Sequence, residues 1–322
     1  MIVKNEVENL SRLLPKIGGL FDEFCVCDTG SNDGTQELLA KFGARYTQKE
    51  WRDSFGWARN QALGLATAQF AIWLDADDDF SPDEFLFLRK TLETAPENTA
   101  FLLRLYTDSP DPARKMTCNQ LRIHPILPGI AWERRIHEQV IPSCHRAGCR
   151  IDHLPFTVVH TGYDRAEGTN VSKYERNLRL LRMEETEMPH DVTLQFHIAQ
   201  SLLGLHRDAE ALVVLQDLAK IESPIEYEMT IAARCSLLAA NLIKFGAERA
   251  QVELLERAVT KAPNDDLARI SLAERYAMTG SPERVRKTLE PISLRGSLQE
   301  SLMPYPMAIA QDVAERLWAG HR

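Results

Sequence analysis

Phe70-Ala71-Ile72-Trp73-Leu74-Asp75-Ala76-Asp77-Asp78-Asp79 decides how this chain is read: an apolar run of strand character ends in four carboxylates within five positions. Like charges packed this densely repel unless a cation or donor groups offset them. Hard divalent cations such as Mg²⁺ and Mn²⁺ take oxygen ligands and are commonly held by one or two carboxylates, with substrate phosphates completing the shell. Asp75 and Asp77, two apart, can divide that work, one on a ligand hydroxyl and one on a metal. The plainer alternative is an acidic loop leading into the helix that Ser81-Pro82-Asp83-Glu84 begins, with proline in its first turn.

Working outward, the strand-then-acid pattern recurs. Met1-Ile2-Val3 is apolar and stops at Lys4; Phe24 to Cys27 is apolar and ends at Asp28. Helical spacing covers Leu10 to Leu20, Thr35 to Phe42 and Ala58 to Ala68, and Asp33 followed three residues later by Gln36 predicts a capping box. Strands alternating with helices predict an α/β domain on a mostly parallel sheet, with ligands beyond the carboxyl ends of the strands, where Asp28 and Asp75 fall. Met1–Val3 is short for an interior strand, so the natural strand is expected to begin a few residues earlier.

Four further stretches carry chemistry. In Cys27-Asp28-Thr29-Gly30-Ser31-Asn32-Asp33-Gly34-Thr35, two glycines let backbone donors approach a nucleotide, and Asp28 can accept from a base or ribose. No Gly-Lys-Ser/Thr or GxGxxG is present, and a plain turn before a helix is the alternative. In Asp53-Ser54-Phe55-Gly56-Trp57-Ala58-Arg59-Asn60, Arg59 on the first turn of a helix suits a diphosphate or base, unless it is a surface arginine. In Trp132-Glu133-Arg134-Arg135-Ile136-His137-Glu138-Gln139, either His137 or Glu138 suits a general base. Val158-Val159-His160-Thr161-Gly162-Tyr163 is a strand ending in His-x-Gly-Tyr, where a lone histidine is more often structural.

At 322 residues the chain exceeds what one core usually holds, which predicts two domains. Apolar residues at 44% and charged residues at 26% exclude a mostly disordered chain. The longest charge-free stretch, Asn60 to Leu74, is 15 residues, short of a membrane span. The start lacks the basic, apolar, small-residue order of a signal peptide. A net charge of −8 argues against a nucleic-acid scaffold. Six cysteines are too sparse for a disulfide framework and are expected to be reduced, in a cytoplasmic protein. Cys144, His145, Cys149 and His153 have zinc-binding chemistry, but their spacing matches no common finger.

From about Lys173 the pattern is helical and three segments align on a tetratricopeptide helix-turn-helix pattern. Their apolar positions are Ile198, Ala199, Leu202, Ala211, Leu215 and Leu218, with Pro224 closing; then Leu238, Ala239, Leu242, Leu255 and Ala258, with Pro263 closing and Gly246 at the turn. The third set is Leu272, Ala273, Tyr276, Val285 and Leu289, with Gly280 at the turn. The second and third segments lie 34 residues apart, the first and second 40. Arg165-Ala166-Glu167-Gly168-Thr169-Asn170 has loop composition, so the expected division is 1–165, a linker or helix over 166–190, and repeats over 191–322.

The motifs Met1-Ile2-Val3-Lys4-Asn5-Glu6, Asp28–Thr35, Phe55–Asn60, Leu74–Asp77, Ile136-His137-Glu138 and His160–Tyr163, in this order, resemble the family 2 glycosyltransferases with the GT-A fold, Rossmann-like and mostly parallel. The branch resembled is the bacterial one that carries tetratricopeptide repeats, and the layout is similar to that of the S-glycosyltransferases of peptide bacteriocins. The resemblance implies a nucleotide-sugar donor, UDP-linked, with Asp28 on uracil or ribose beside Asn5, Glu6, Gly30 and Asp33. It implies Arg59 on the nucleotide, Asp75 towards ribose and sugar, Asp77 on Mn²⁺ or Mg²⁺ with His160 as a further ligand, and Glu138, with His137 next to it, as the base. Inversion by one displacement is expected, onto a hydroxyl or thiol of a glycan, peptide or modified nucleobase. The repeats are expected to recruit a protein acceptor or make a homodimer. The other reading is a repeat scaffold binding peptides beside a degenerate transferase domain; the full set of acids and His160 argues against it. A nucleotidyltransferase would need a basic glycine-rich loop near the start, which the sequence lacks.

Overall fold

In the computed structural model, which describes residues 1–295 apart from 18, 80, 108–115, 161–166 and 244–246, the chain divides into units Met1–Arg165 and Ala166–Arg322. Leu10, Leu13, Leu14 and Ile17 recur at helical spacing, form one apolar stripe and are all buried, which makes α1 (Val7–Ile17) a core helix. It lies between β1 (Ile2–Val3) and β2 (Cys25–Asp28). There follow α2 (Thr35–Lys41), β3 (Arg45–Gln48), α3 (Phe55–Leu63), β4 (Phe70–Ile72), β5 (Asp78–Asp79) and α4 (Pro82–Glu93). The unit closes with β6 (Thr99–Thr107), β7 (Met116–Pro125), α5 (Ile141–Arg146) and β8 (Arg150–His160).

The parallel expectation holds for β1-β2-β3, where Ile2 faces Cys27 and Val26 faces Tyr46. The second sheet runs β4-β7-β6-β8-β5, and there only β6 and β8 pair in parallel. Parallel neighbours need a long crossover connection. β6 and β7 follow one another too closely for one and pair antiparallel, Leu103 facing Gln120. One core spans both sheets: Leu10 and Leu14 of α1, Val26, Leu39 of α2, Leu88 of α4 and Leu103 are at most 1% exposed. The expected capping box does not form. Gly34 precedes α2 at φ 97, and Asp33 instead accepts from the N–H and hydroxyl of Thr35 and from Val7 N–H at the start of α1.

In the second unit, α6 (Glu167–Glu185) occupies most of the stretch read as a linker or helix. Three helix pairs follow: α7 (Val192–Gly204) with α8 (Asp208–Leu218), α9 (Glu226–Leu242) with α10 (Glu248–Lys261), and α11 (Asp266–Met278) with α12 (Pro282–Arg295). Ile198, Ala199, Leu202, Ala211, Leu215, Ala239, Leu255, Ala258, Ala273 and Val285 are fully buried, as helix pairs stacking one shared face require. Gly280 turns α11 into α12 at φ 70; Gly246 lies outside the described residues. Among the described residues no helix is long and apolar enough to cross a membrane.

Candidate functional site

Asp28 ends β2 wholly buried. Its Oδ1 accepts from the N–H groups of Gly30 and Ser31 at 2.9 and 2.8 Å, which curls the loop back on the strand. That curl carries Gly30 to φ 109, which favours glycine. Its Oδ2 is buried without a hydrogen-bond partner, a costly state that a ligand donor would relieve. Asn5 braces the loop: its N–H donates to Ser31 Oγ and its Oδ1 accepts from Asn32 N–H, both at 2.9 Å. Glu6 N–H donates to Thr35 Oγ1 at 2.9 Å. Desolvation would raise the pKa of Asp33, but hydrogen bonds from Thr35 and Val7 outweigh it and hold the carboxyl below its ordinary value. Asn5, Glu6, Gly30 and Asp33 therefore shape the loop that presents Asp28.

Beyond β4 the chain makes a tight turn, Asp75 N–H donating to Asp78 Oδ2 at 2.8 Å and Asp78 N–H to Asp75 O at 3.2 Å. Carboxylate oxygens of Asp75, Asp77 and Asp78 come within 4.8 Å of one another. Asp78 is buried and paired with Arg122 Nη1 at 2.6 Å, and Arg122 lies over the Trp73 ring at 3.7 Å. Asp79 points to the surface and pairs with Lys16 at 2.8 Å. The backbone of His160, the last residue of β8, stands opposite Asp78 in register, which brings the end of β8 to the acidic turn.

The loop of residues 132–139 is a small closed ring: Glu133 and Gln139 exchange N–H···O bonds at 2.9 and 3.0 Å. Inside it Arg134 and His137 adopt positive φ, 75 and 51. Glu138 Oε1 accepts from Arg59 Nε at 2.6 Å, and Arg59 Nη2 reaches Asp75 Oδ1 at 3.1 Å. Arg59 is 8% exposed, its guanidinium 4.4 Å from the Trp73 ring centre and 5.0 Å from that of Trp132. Burial opposes its charge, but Asp75 and Glu138 more than compensate, and its pKa rises above the ordinary arginine value.

Of the residues expected from sequence, Arg59, Asp75 and Glu138 meet directly, with Asp77 on the same acidic turn. The surface-arginine alternative for Arg59 is excluded. Cys144, His145, Cys149 and His153 do not converge on a metal. Both cysteines are buried in an apolar cluster while both histidines are exposed, and burial pushes the Cys144 thiol up to about 12, far from the thiolate a metal takes. Sequence reading missed Arg122, the two tryptophan walls and the role of Asn60, whose side chain exchanges two hydrogen bonds with the Trp132 backbone, both at 2.8 Å. Leu121-Arg122-Ile123 gave no signal, because period-2 alternation equally places Arg122 on a solvated face; its burial at 2% comes from cover on both faces of the sheet.

Residues 1–150 match the model of Glycosyl transferase family 2. A TPR repeat-containing protein of Synechococcus elongatus is 33% identical over 202 residues, 60% of this chain and 49% of the relative. The SPbeta prophage-derived glycosyltransferase SunS of Bacillus subtilis is 24% identical over 238 residues, 67% of this chain and 51% of SunS. The chain thus spans about half the length of the curated relatives it matches. Among solved structures, glucosyl-3-phosphoglycerate synthase of Mycobacterium tuberculosis superposes with a TM-score of 0.42 at 17% identity, over 56% of this chain and 77% of that one. The N-terminal part of the chain, residues 1–150, carries a Glycosyl transferase family 2 domain.

Proposed function

We propose that the chain is an inverting glycosyltransferase that moves a sugar from a UDP-linked donor to a hydroxyl or thiol, with a divalent cation, in the cytoplasm. The observation that carries this reading is the set of converging carboxylates at the end of β4, one salt-bridge step from Glu138. Asp28, with its unpartnered buried Oδ2, takes a donor group of the base or ribose, in the loop shaped by Asn5, Glu6, Gly30 and Asp33. Asp75 faces ribose and sugar. The carboxylates of the turn, with Arg122 already offsetting Asp78, suit a hard Mn²⁺ or Mg²⁺ ion on Asp77, with His160, whose side chain lies outside the described residues, as a further nitrogen ligand. Such an ion supplies Lewis-acid stabilisation of charge on the departing diphosphate. Glu138 takes the acceptor proton, His137 being the alternative base, and a single positioned base fits one direct displacement. The helix pairs α7 to α12 recruit the acceptor, a glycan, peptide or modified nucleobase, on the extended surface that stacked repeats create.

Calorimetric titration of UDP in Mn²⁺ and in EDTA tests the reading. Tighter binding with Mn²⁺, lost in Asp77→Ala, is expected; equal affinity in both buffers contradicts the site.

A further inference from the structure

The first turns of α3 are attached to the 132–139 loop at four points. Phe55 N–H donates to Arg135 O at 2.7 Å. Asn60 and the Trp132 backbone exchange two bonds. Gly56 lies so close to the loop that an added Cβ would collide with Arg134 O. Arg59 makes the fourth attachment, Nε on Glu138 and Nη2 on Asp75.

An arginine that grips a diphosphate keeps its fork open towards the ligand. In Arg59 two donors are engaged by protein carboxylates from two different segments, and both ring faces flank the guanidinium. The geometry points to Arg59 as a positioning residue that locks the Glu138 carboxylate against the Asp75 end of β4, fixing base and sugar-side acid relative to each other, instead of binding the nucleotide. This rests on the transferase reading above. Nη1, buried and without a protein partner, is the one guanidinium nitrogen left over, and a phosphate contact through its N–H groups is the competing role.

The test compares wild type, Arg59→Met and Arg59→Lys in two assays. The first measures kcat with the UDP-sugar the wild type turns over, and the Kd of UDP with Mn²⁺. Arg59→Met should lower kcat by about 100-fold, the usual cost of a misplaced catalytic group, with Kd unchanged, and Arg59→Lys should recover about tenfold of that loss. A Kd that rises as kcat falls, or a kcat that does not change, overturns the proposal. Should Arg59→Met fail to fold, Arg59→Lys alone decides, because an ammonium cannot bridge both carboxylates: wild-type kcat overturns the proposal. The second assay is native-state trypsin cleavage at Arg134 and Arg135, well below the melting temperature. The site should be resistant in wild type and cut in Arg59→Met. Resistance in Arg59→Met sinks the positioning role even if no nucleotide sugar is turned over, an outcome that by itself would refute only the transferase reading.

Discussion

Three consecutive aspartates have three different surroundings, of which Asp77 keeps the half-buried place among the converging carboxylates of the turn. Asp79 pairs at the surface with Lys16, where such a pair contributes little. Asp78 is buried against Arg122, and the Trp73 ring covers that arginine. The sequence leaves them indistinguishable because the sorting comes from β7 and α1, far along the chain. Removing one partner of a buried pair leaves an uncompensated charge, which costs several kcal/mol. Arg122→Met is therefore expected to destabilise the first unit by about 3–5 kcal/mol, seen as a fall in the urea midpoint. A variant as stable as wild type would show that Asp78 does not depend on Arg122 in the buried state.

At the scale of elements, what could be read from sequence was set by periodicity. α1 was legible because four apolar residues repeat on one face. β3 was not: Arg45-Tyr46-Thr47-Gln48 is a largely exposed edge strand with no apolar run. The antiparallel pairing of β6 with β7, consecutive strands with no helix between them, breaks the strand–helix alternation from which a mostly parallel sheet was expected. The Phe55–Asn60 motif was recognised as a unit, yet its task of holding the 132–139 loop appears only in three dimensions. Gly56 reports on that task. Its backbone is ordinary, but a methyl group there would collide with the Arg134 carbonyl and approach Glu133 O to 3.3 Å. Both obstacles are backbone, so the loop must move as a whole. Gly56→Ala is expected to cost about 1–3 kcal/mol and to lower transfer activity more than UDP affinity. Equal loss of both in parallel assays would mean that the loop also shapes the nucleotide site.

Across the whole molecule, the chain builds separate cores: one between the sheets and helices of residues 1–165, others within the helix pairs of the second unit. In a repeat array each pair stabilises its neighbours, so damage to one pair spreads along the array. Leu289, 1% exposed on α12, packs with Tyr276 and Val285 in the last described pair. Truncating it leaves a cavity expected to cost about 2–5 kcal/mol. The division of labour proposed here then makes a sharp demand on Leu289→Ala: the melting of the helical unit should move down, while the affinity of UDP with Mn²⁺ stays at the wild-type value. Transfer to a small hydroxyl or thiol acceptor should persist, and transfer to a peptide that depends on the repeats should fall. If nucleotide affinity drops along with helical stability, the donor site is not confined to the first unit, and the assignment of donor chemistry to residues 1–165 and acceptor recruitment to the repeats fails.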